Sequence, residues 1–259
     1  MIRGIVKDQK IPAAAGMLSL GAFAVLAVVS LFDSFEILGI NRWIKPMKFT
    51  ISVGVYLLTL AVYLYFIEGR SAAKKVIGWG VSLLLAGELV LVIMQSARGT
   101  TSHFNISNGF DGMVFSAMGI MIVINTLLIF YLLYLYFKAD VRLPRAVLWG
   151  MRLGIVLFLV SSFEGGYMSV VLRHSVGVED GGPGLPFVNW STRGGDLRAA
   201  HFIGMHALQV MPAAGYLFER FRPRAAVMLT VLSGVSYLLV FTALFLQAMA
   251  GRPVWAMGG

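Results

Sequence analysis

The sequence predicts an all-α, polytopic integral membrane protein in which seven transmembrane helices form one bundle. Three observations lead to this prediction. The 259 residues are 58% hydrophobic and only 13% charged, and their mean hydropathy is +0.82. So little charge cannot cover the surface of a water-facing domain. Apolar stretches of about 20 residues, the length that crosses a bilayer, recur seven times along the chain.

The seven apolar stretches follow one another with polar connections between them. They run over residues 13–32, 49–67, 76–96, 112–137, 146–172, 197–221 and 225–250. Because they take up more than half of the chain, we expect a single membrane domain over residues 1–259 without a separate soluble domain. The first stretch is too long for a signal peptide and lacks a small-residue cleavage site, so we interpret it as a retained helix.

The basic residues predict a cytoplasmic N-terminus and a C-terminus on the outer side. With this orientation twelve Lys and Arg residues lie in inner segments and eight in outer segments, as the positive-inside rule requires. The net charge of +9 therefore reflects topology, and no nucleic-acid partner is expected. Membrane lipids are the expected surroundings, in a cell membrane that in bacteria would be the inner one. The absence of cysteine excludes disulfides and thiolate ligands.

Polar residues in the second and third predicted helices are the first candidates for a site. Lys45 and Lys48 either extend to lipid headgroups, or Lys48 faces the interior of the bundle. Glu88 and Gln95 are separated by about two helical turns and so share one face. A carboxylate at membrane depth costs a few kcal/mol, so Glu88 is either functional or bonded to another helix.

A dense polar run at residues 96–111 connects the third and fourth predicted helices and is interpreted as a structured cap. Its candidate residues are Arg98, Ser102, His103, Asn105 and Asp111. Asp111 or Ser107 is the expected N-cap of the fourth helix, because short polar side chains accept hydrogen bonds from the first helical N–H groups.

The fifth predicted helix carries Glu164, followed by two glycines that permit close helix approach, so we expect Glu164 to face the bundle centre. The connection after it is rich in turn residues, and His174 is expected to be a solvated surface histidine. Asp196 follows Gly194 and Gly195, which predicts the N-cap of the sixth helix.

The sixth predicted helix carries His201, His206 and Gln209 in an otherwise apolar segment. Pro212 predicts a kink just beyond them, because proline removes a helical hydrogen bond. The seventh helix lacks ionisable residues and is expected to serve packing.

Together these residues predict a buried site that opens toward the outer face. The expected catalytic residues are Glu88, Asp111 and Glu164, the expected metal ligands are His103, His201 and His206, and the expected substrate-binding residues are Lys48, Gln95, Arg98, Asn105 and Gln209. Three histidines with a carboxylate and an open position suit zinc, which activates water and polarises a carbonyl. The first hypothesis is therefore metal-dependent hydrolysis of a lipid or another amphiphile.

A family resemblance rests on Ser102, His103, Asp111, His201 and His206. This layout resembles the seven-helix hydrolases of the alkaline ceramidase and adiponectin receptor superfamily, which combine an early Ser, His and Asp with a histidine pair on the last helix. The chain departs from that pattern, since its pair lies on the sixth helix at a spacing of five. Positions i and i+5 lie about 140° apart on a regular helix, so one ion reaches both only through a bulge or the Pro212 kink.

Two other functions are compatible with the same residues. The first is a redox protein that binds quinone, or that holds haem between His103 and either His201 or His206. The second is a small-ligand transporter, a receptor, or an accessory subunit, acting as a homo-oligomer or within a larger membrane complex. No inverted repeat is visible in the sequence, which argues against a transporter. Whether the chain is an enzyme is left open by the sequence.

Overall fold

The computed structural model describes residues 2–255, which are mostly helical. This part of the chain contains eight helices and four two-residue strands. The helices are α1 (Ile2–Asp8), α2 (Lys10–Ser30), α3 (Ile44–Tyr65), α4 (Ser71–Ala97), α5 (Gly109–Lys138), α6 (Arg145–Val171), α7 (Leu197–Phe221) and α8 (Ala226–Met249). The strands are β1 (Glu36–Ile37), β2 (Ile40–Asn41), β3 (Ser175–Val176) and β4 (Gly195–Asp196).

Six helices in the described part of the chain, α2 to α6 and α8, are long and apolar enough to cross a membrane. The prediction of an all-α protein with several membrane-crossing helices is confirmed to that extent. Helix α7 has 25 residues, about 37 Å at 1.5 Å per residue, which exceeds the bilayer core. Its histidines, glutamine and proline make it more polar than the other six. The seventh span and the orientation stay predictions.

The chain divides into two compact units, Met1–Arg142 and Leu143–Gly259, and the single domain stays a prediction. In the first unit α2 packs against α3 and α4, and α4 packs against α3 and α5. Gly16 and Gly54 let α2 and α3 approach closely. A Cβ on either glycine would lie 3.1 Å from the carbonyl oxygen of the other, so the two backbones are in contact there.

In the second unit, α6 and α7 form the most extensive interface, and α8 packs against both. Glycines again set the approach. A Cβ on Gly150 would collide with the carbonyl oxygen of Met211, and one on Gly215 would lie 2.5 Å from that of Ala146. Because backbone cannot move aside as a side chain can, these contacts fix the register of α7 on α6. Helix α7 continues through Pro212 without ending.

Two short antiparallel hairpins, β1–β2 and β3–β4, lie in the connections. The first is held by Asp33, whose carboxylate accepts hydrogen bonds from the Arg42 side chain and from Trp43 Nε1, each at 2.7 Å. Arg42 also donates to the carbonyl oxygen of Ala97 at 3.1 Å. This cluster ties the connection after α2 to the end of α4, and the sequence did not predict it.

Candidate functional site

A histidine and a carboxylate pair inside the second unit, at the α6–α7 interface. His201 Nδ1 lies 2.9 Å from Glu164 Oε2 and 3.1 Å from the carbonyl oxygen of Ser161. Both neighbours are acceptors, so Nδ1 carries the proton and Nε2 presents a lone pair. The Glu164 side chain is 4% exposed and that of His201 is 31% exposed. A buried carboxyl group therefore orients a partly exposed imidazole, and within residues 2–255 the other oxygen of that group, Oε1, has no hydrogen-bond partner.

Gly165 makes room for this imidazole. A Cβ at position 165 would lie 2.8 Å from Cε1 of His201 and 3.3 Å from Nδ1. The ring thus rests against the backbone of α6, and the sequence Glu164-Gly165 supplies both the acceptor and the space. The sequence predicted that the two glycines after Glu164 permit close helix approach, and Gly165 is the one at which α7 approaches α6.

Ser161 also contacts His201, but the three residues do not form a nucleophilic triad. Ser161 Oγ donates to the carbonyl oxygen of His201 at 2.9 Å and lies 3.3 Å from Nδ1. In a triad the hydroxyl and the carboxylate must use opposite nitrogens of the ring. Here both approach the same nitrogen, so Ser161 joins the two helices and the imidazole is left available for proton transfer or ligation.

His206 does not join His201. Its Nδ1 lies 2.7 Å from the carbonyl oxygen of Phe202 in the previous turn of the same helix, and its ring packs on Phe202 at 4.1 Å between centroids. Trp190 also packs on Phe202, with 5.7 Å between the ring centroids. The spacing of five directs the two histidines to different surroundings, as the geometry of a regular helix requires.

The start of α7 is organised by Asp196, which is 0% exposed and is the N-cap that the sequence predicted. Its carboxylate accepts hydrogen bonds from the backbone N–H of Ser191 at 2.7 Å and from that of Arg198 at 3.1 Å. The Arg198 guanidinium pairs with it at 2.6 Å. This network holds the long connection against the helix that carries His201.

His174 is not the solvated surface histidine that the sequence predicted. Its side chain is 17% exposed, and Nδ1 lies 3.2 Å from Asp180 Oδ1 and 3.9 Å from Asp196 Oδ1. The β3–β4 pairing places Ser175 opposite Asp196 and so brings this histidine between two carboxylates.

In the first unit Asp111 is held by polar neighbours. Its carboxylate accepts hydrogen bonds from Gln95 at 2.9 Å, from Arg98 at 2.5 Å and from Asn108 at 2.7 Å. The N-cap of α5 is Asn108, whose side chain accepts from the Asp111 N–H at 3.0 Å; the expectation of Asp111 or Ser107 was therefore wrong. Asp111 occupies the third helical position, where its side chain can bond back to the cap.

Asn105 stabilises the connection at residues 98–108, which lies within the predicted cap at residues 96–111 and is called the cap below. Its amide donates to Thr100 Oγ1 at 2.9 Å and to the Thr101 carbonyl oxygen at 3.0 Å, and its carbonyl accepts from Ser107 Oγ at 2.7 Å. These bonds lie within the cap and give it a fixed shape without helix or strand.

His103 lies in the cap among aromatic rings. Its ring is 5.2 Å from that of Phe49 and 6.1 Å from that of Phe104 between centroids, and Nδ1 is 3.1 Å from Ser102 Oγ. Burial lowers the pKa of His103 well below its ordinary value of 6.5, and the ammonium of Lys45 lowers this pKa further. The ring is therefore neutral at neutral pH.

Glu88 lies in α4, 2% exposed, and within residues 2–255 its Oε1 has no hydrogen-bond partner. Lys45 acts electrostatically on Glu88 as it does on His103.

Of the other predicted residues, Lys48 is half-buried on α3 and Gln209 is half-buried on α7.

The predicted metal ligands are divided between the units, with His103 in the first and His201 and His206 in the second. The described residues contain no group of three or more His, Asp and Glu side chains that could hold a metal ion. The geometry thus gives the zinc site no support, and zinc and haem stay predictions.

Sequence reasoning did not identify Ser161 or Asn108. Ser161 precedes Glu164 by one helical turn, a spacing that places both on one face, and this was the signal available for it. Asn108 precedes a glycine and an apolar run, but Ser107 and Asp111 beside it matched the N-cap pattern equally well.

Comparison with known proteins gives no match: no family model, no curated protein and no solved structure is similar to the chain.

Proposed function

We propose that the chain is a multi-pass membrane protein that binds a hydroxyl-bearing amphiphile at His201, and that a membrane quinol is the class of ligand that fits best. The observation that carries this proposal is the hydrogen bond of His201 Nδ1 with the buried carboxylate of Glu164, at 2.9 Å. It leaves Nε2 as an acceptor on an accessible ring. The seventh crossing, by α7, and a cytoplasmic N-terminus are part of the proposal.

The chemistry follows from the two partners. When a ligand hydroxyl donates to Nε2 and its proton moves there, the ligand becomes an oxyanion and the ring an imidazolium. The Glu164 carboxylate then faces a cation, and its attraction to this charge favours the transfer. Carboxylate–histidine pairs of this kind fix the tautomer and the orientation of an imidazole.

The acidity of the ligand decides between classes of hydroxyl. A phenolic hydroxyl has a pKa of about 10, which is within a few units of imidazole. The pKa of water is about 15.7, so complete transfer of a proton to an imidazole is far more favourable from a phenol than from water. A quinol, with phenolic hydroxyls on an apolar tail, therefore suits both the site and the membrane better than a substrate for hydrolysis.

The test uses the full chain in lipid nanodiscs and a short-chain benzoquinol, with affinity measured by calorimetry. The dimethyl ether of the same quinol has the ring but no proton to donate. We expect His201→Gln to weaken quinol binding by about tenfold or more. The ether should bind to the wild-type protein about as weakly as the quinol binds to the His201→Gln variant. His206→Gln is the matched control and should change the affinity by less than about twofold, because His206 bonds to its own helix.

Two results would contradict the proposal. One is equal binding of the quinol and its ether. The other is a Soret absorbance band in the protein as purified that His201→Gln removes, since this would identify the histidine as a haem ligand instead.

A further inference from the structure

We propose that one end of the second unit binds the headgroup of an anionic phospholipid. This end is formed by the start of α6, the end of α7 and the start of α8. Its exposed arginines are called the arginine end below, and they are Arg145, Arg220, Arg222 and Arg224. The site shares no residue with the quinol site and does not rest on that proposal.

The first observation is that three helix ends bring these arginines to the same end of the unit. Gly215 of α7 lies against the start of α6, since a Cβ there would be 2.5 Å from the carbonyl oxygen of Ala146. The N–H of Ala225 donates to the carbonyl oxygen of Arg222 at 3.0 Å and closes the turn between α7 and α8. Because α6 and α8 are both long and apolar enough to cross a membrane and both begin here, this end lies at a bilayer surface.

The second observation is the unbalanced charge of the arginine end. All four of its side chains are exposed, and within residues 2–255 none of them takes part in an ion pair. In the described part of the second unit, the carboxylate at this end is that of Glu219, which is half-buried on α7. The second unit therefore leaves positive charge here that an anion from outside it can neutralise.

The opposite end of the unit, where α6 and α8 end and α7 begins, does not show this excess. Four arginines lie there with three carboxylates, so the charges nearly balance. They are Arg173, Arg193, Arg198 and Arg252, and Glu179, Asp180 and Asp196.

The third observation favours a lipid as the source of the anion. Tyr216 is exposed and precedes Arg220 by four residues, so the two share one face of α7. Trp149 is exposed and follows Arg145 by four residues on α6 in the same way. Each aromatic ring thus lies one turn closer to the middle of its helix than the arginine does. Tyrosine and tryptophan prefer the membrane–water interface, which places the guanidinium groups at the level of the headgroups.

The chemistry of arginine favours a phosphate group with a net negative charge. A guanidinium group donates two parallel hydrogen bonds to phosphate oxygens. In phosphatidylglycerol the phosphate is the only charged group, whereas the ammonium of phosphatidylcholine offsets it. Basic residues near a membrane surface bind anionic lipids with about fivefold in affinity for each residue, so several arginines together distinguish the two lipids.

The experiment is a native mass spectrometry titration of the full chain in detergent, with phosphatidylglycerol and with phosphatidylcholine of the same acyl chains. We expect the wild-type protein to bind phosphatidylglycerol about tenfold or more tightly. A variant that combines Arg220→Gln, Arg222→Gln and Arg224→Gln should reduce this preference by about tenfold.

The matched control combines Arg173→Gln, Arg193→Gln and Arg252→Gln. It removes the same charge from exposed positions at the opposite end and should keep the preference. Equal melting temperatures of the two variants and the wild-type protein without added lipid check that the fold is preserved.

Three results would overturn the proposal. The first is equal affinity of the wild-type protein for the two lipids, a comparison that needs no variant. The second is the same loss of preference in both variants, since this would show that total charge is responsible. The third is displacement of bound phosphatidylglycerol by inorganic phosphate, which would identify a soluble anion as the ligand. None of these results bears on quinol binding by His201.

Discussion

The imidazole of His201 lies directly on the backbone of Gly165, where a Cβ would be 2.8 Å from its Cε1. The next residue, Gly166, is exposed, and a Cβ there would meet nothing within 4 Å. The two adjacent glycines therefore have different roles, although the sequence gives them the same appearance. Only the first is required by the position of the histidine.

This difference makes Gly165→Ala and Gly166→Ala a matched pair. Alanine at 165 should displace the imidazole from Glu164, at an overpacking cost of about 1–3 kcal/mol that the higher helix propensity of alanine partly offsets. We expect quinol affinity to fall by about tenfold with a small change in melting temperature.

Alanine at 166 should preserve binding and raise stability by up to about 1 kcal/mol. Calorimetry and thermal unfolding measure both, and equal binding by the two variants would contradict the assigned contact.

Glu164→Gln separates the charge of the acceptor from its hydrogen bond. The amide oxygen can still accept from His201 Nδ1, so the melting temperature should change little. The neutral amide cannot stabilise an imidazolium, however, and we expect quinol affinity to fall by about tenfold or more. A variant that binds quinol as the wild-type protein does would show that the carboxylate serves only to orient the ring.

Asp196→Ala should strongly destabilise the second unit. It removes the N-cap of α7 and leaves the Arg198 guanidinium without the carboxylate that it faces. We expect a loss of about 3 kcal/mol in the free energy of unfolding, seen as a lower melting temperature and faster proteolysis of residues 172–196. Glu179→Ala removes an exposed carboxylate from the same connection and should change stability by less than about 0.5 kcal/mol. Similar melting temperatures for the two variants would refute the role of Asp196.

The helices and the N-cap of α7, Asp196, could be predicted because they depend on local sequence. Six apolar stretches have the length that a membrane crossing needs. The two glycines before Asp196 mark the end of the preceding connection in the sequence itself, so the start of the helix could be predicted without knowledge of tertiary contacts. The first hairpin could not be predicted, because Asp33 and Arg42 are ordinary loop residues until the chain folds back and pairs them. The same holds for His174, which only the β3–β4 pairing brings between two carboxylates.

The His201–Glu164 pair was beyond sequence reasoning for a related reason. Both residues were identified as candidates, but which residues meet across two helices depends on their register. That register is set by backbone contacts at Gly150 and Gly215, several turns from the pair. A sequence shows that these glycines permit close approach without showing which residue of the other helix approaches them.

His103 predicts how stability depends on pH. Burial and the Lys45 ammonium hold the pKa of folded His103 well below 6.5, whereas in the unfolded chain it returns to about 6.5. Below pH 6.5 the unfolded state therefore binds a proton that the folded state does not, and the free energy of unfolding falls as pH falls, by up to about 1.4 kcal/mol per pH unit from this group. His103→Gln should reduce this decline, measured by chemical unfolding between about pH 7.5 and 5.5, while the other titrating groups contribute equally to both proteins. Parallel curves for the two proteins would show that the folded protein does not suppress protonation of His103.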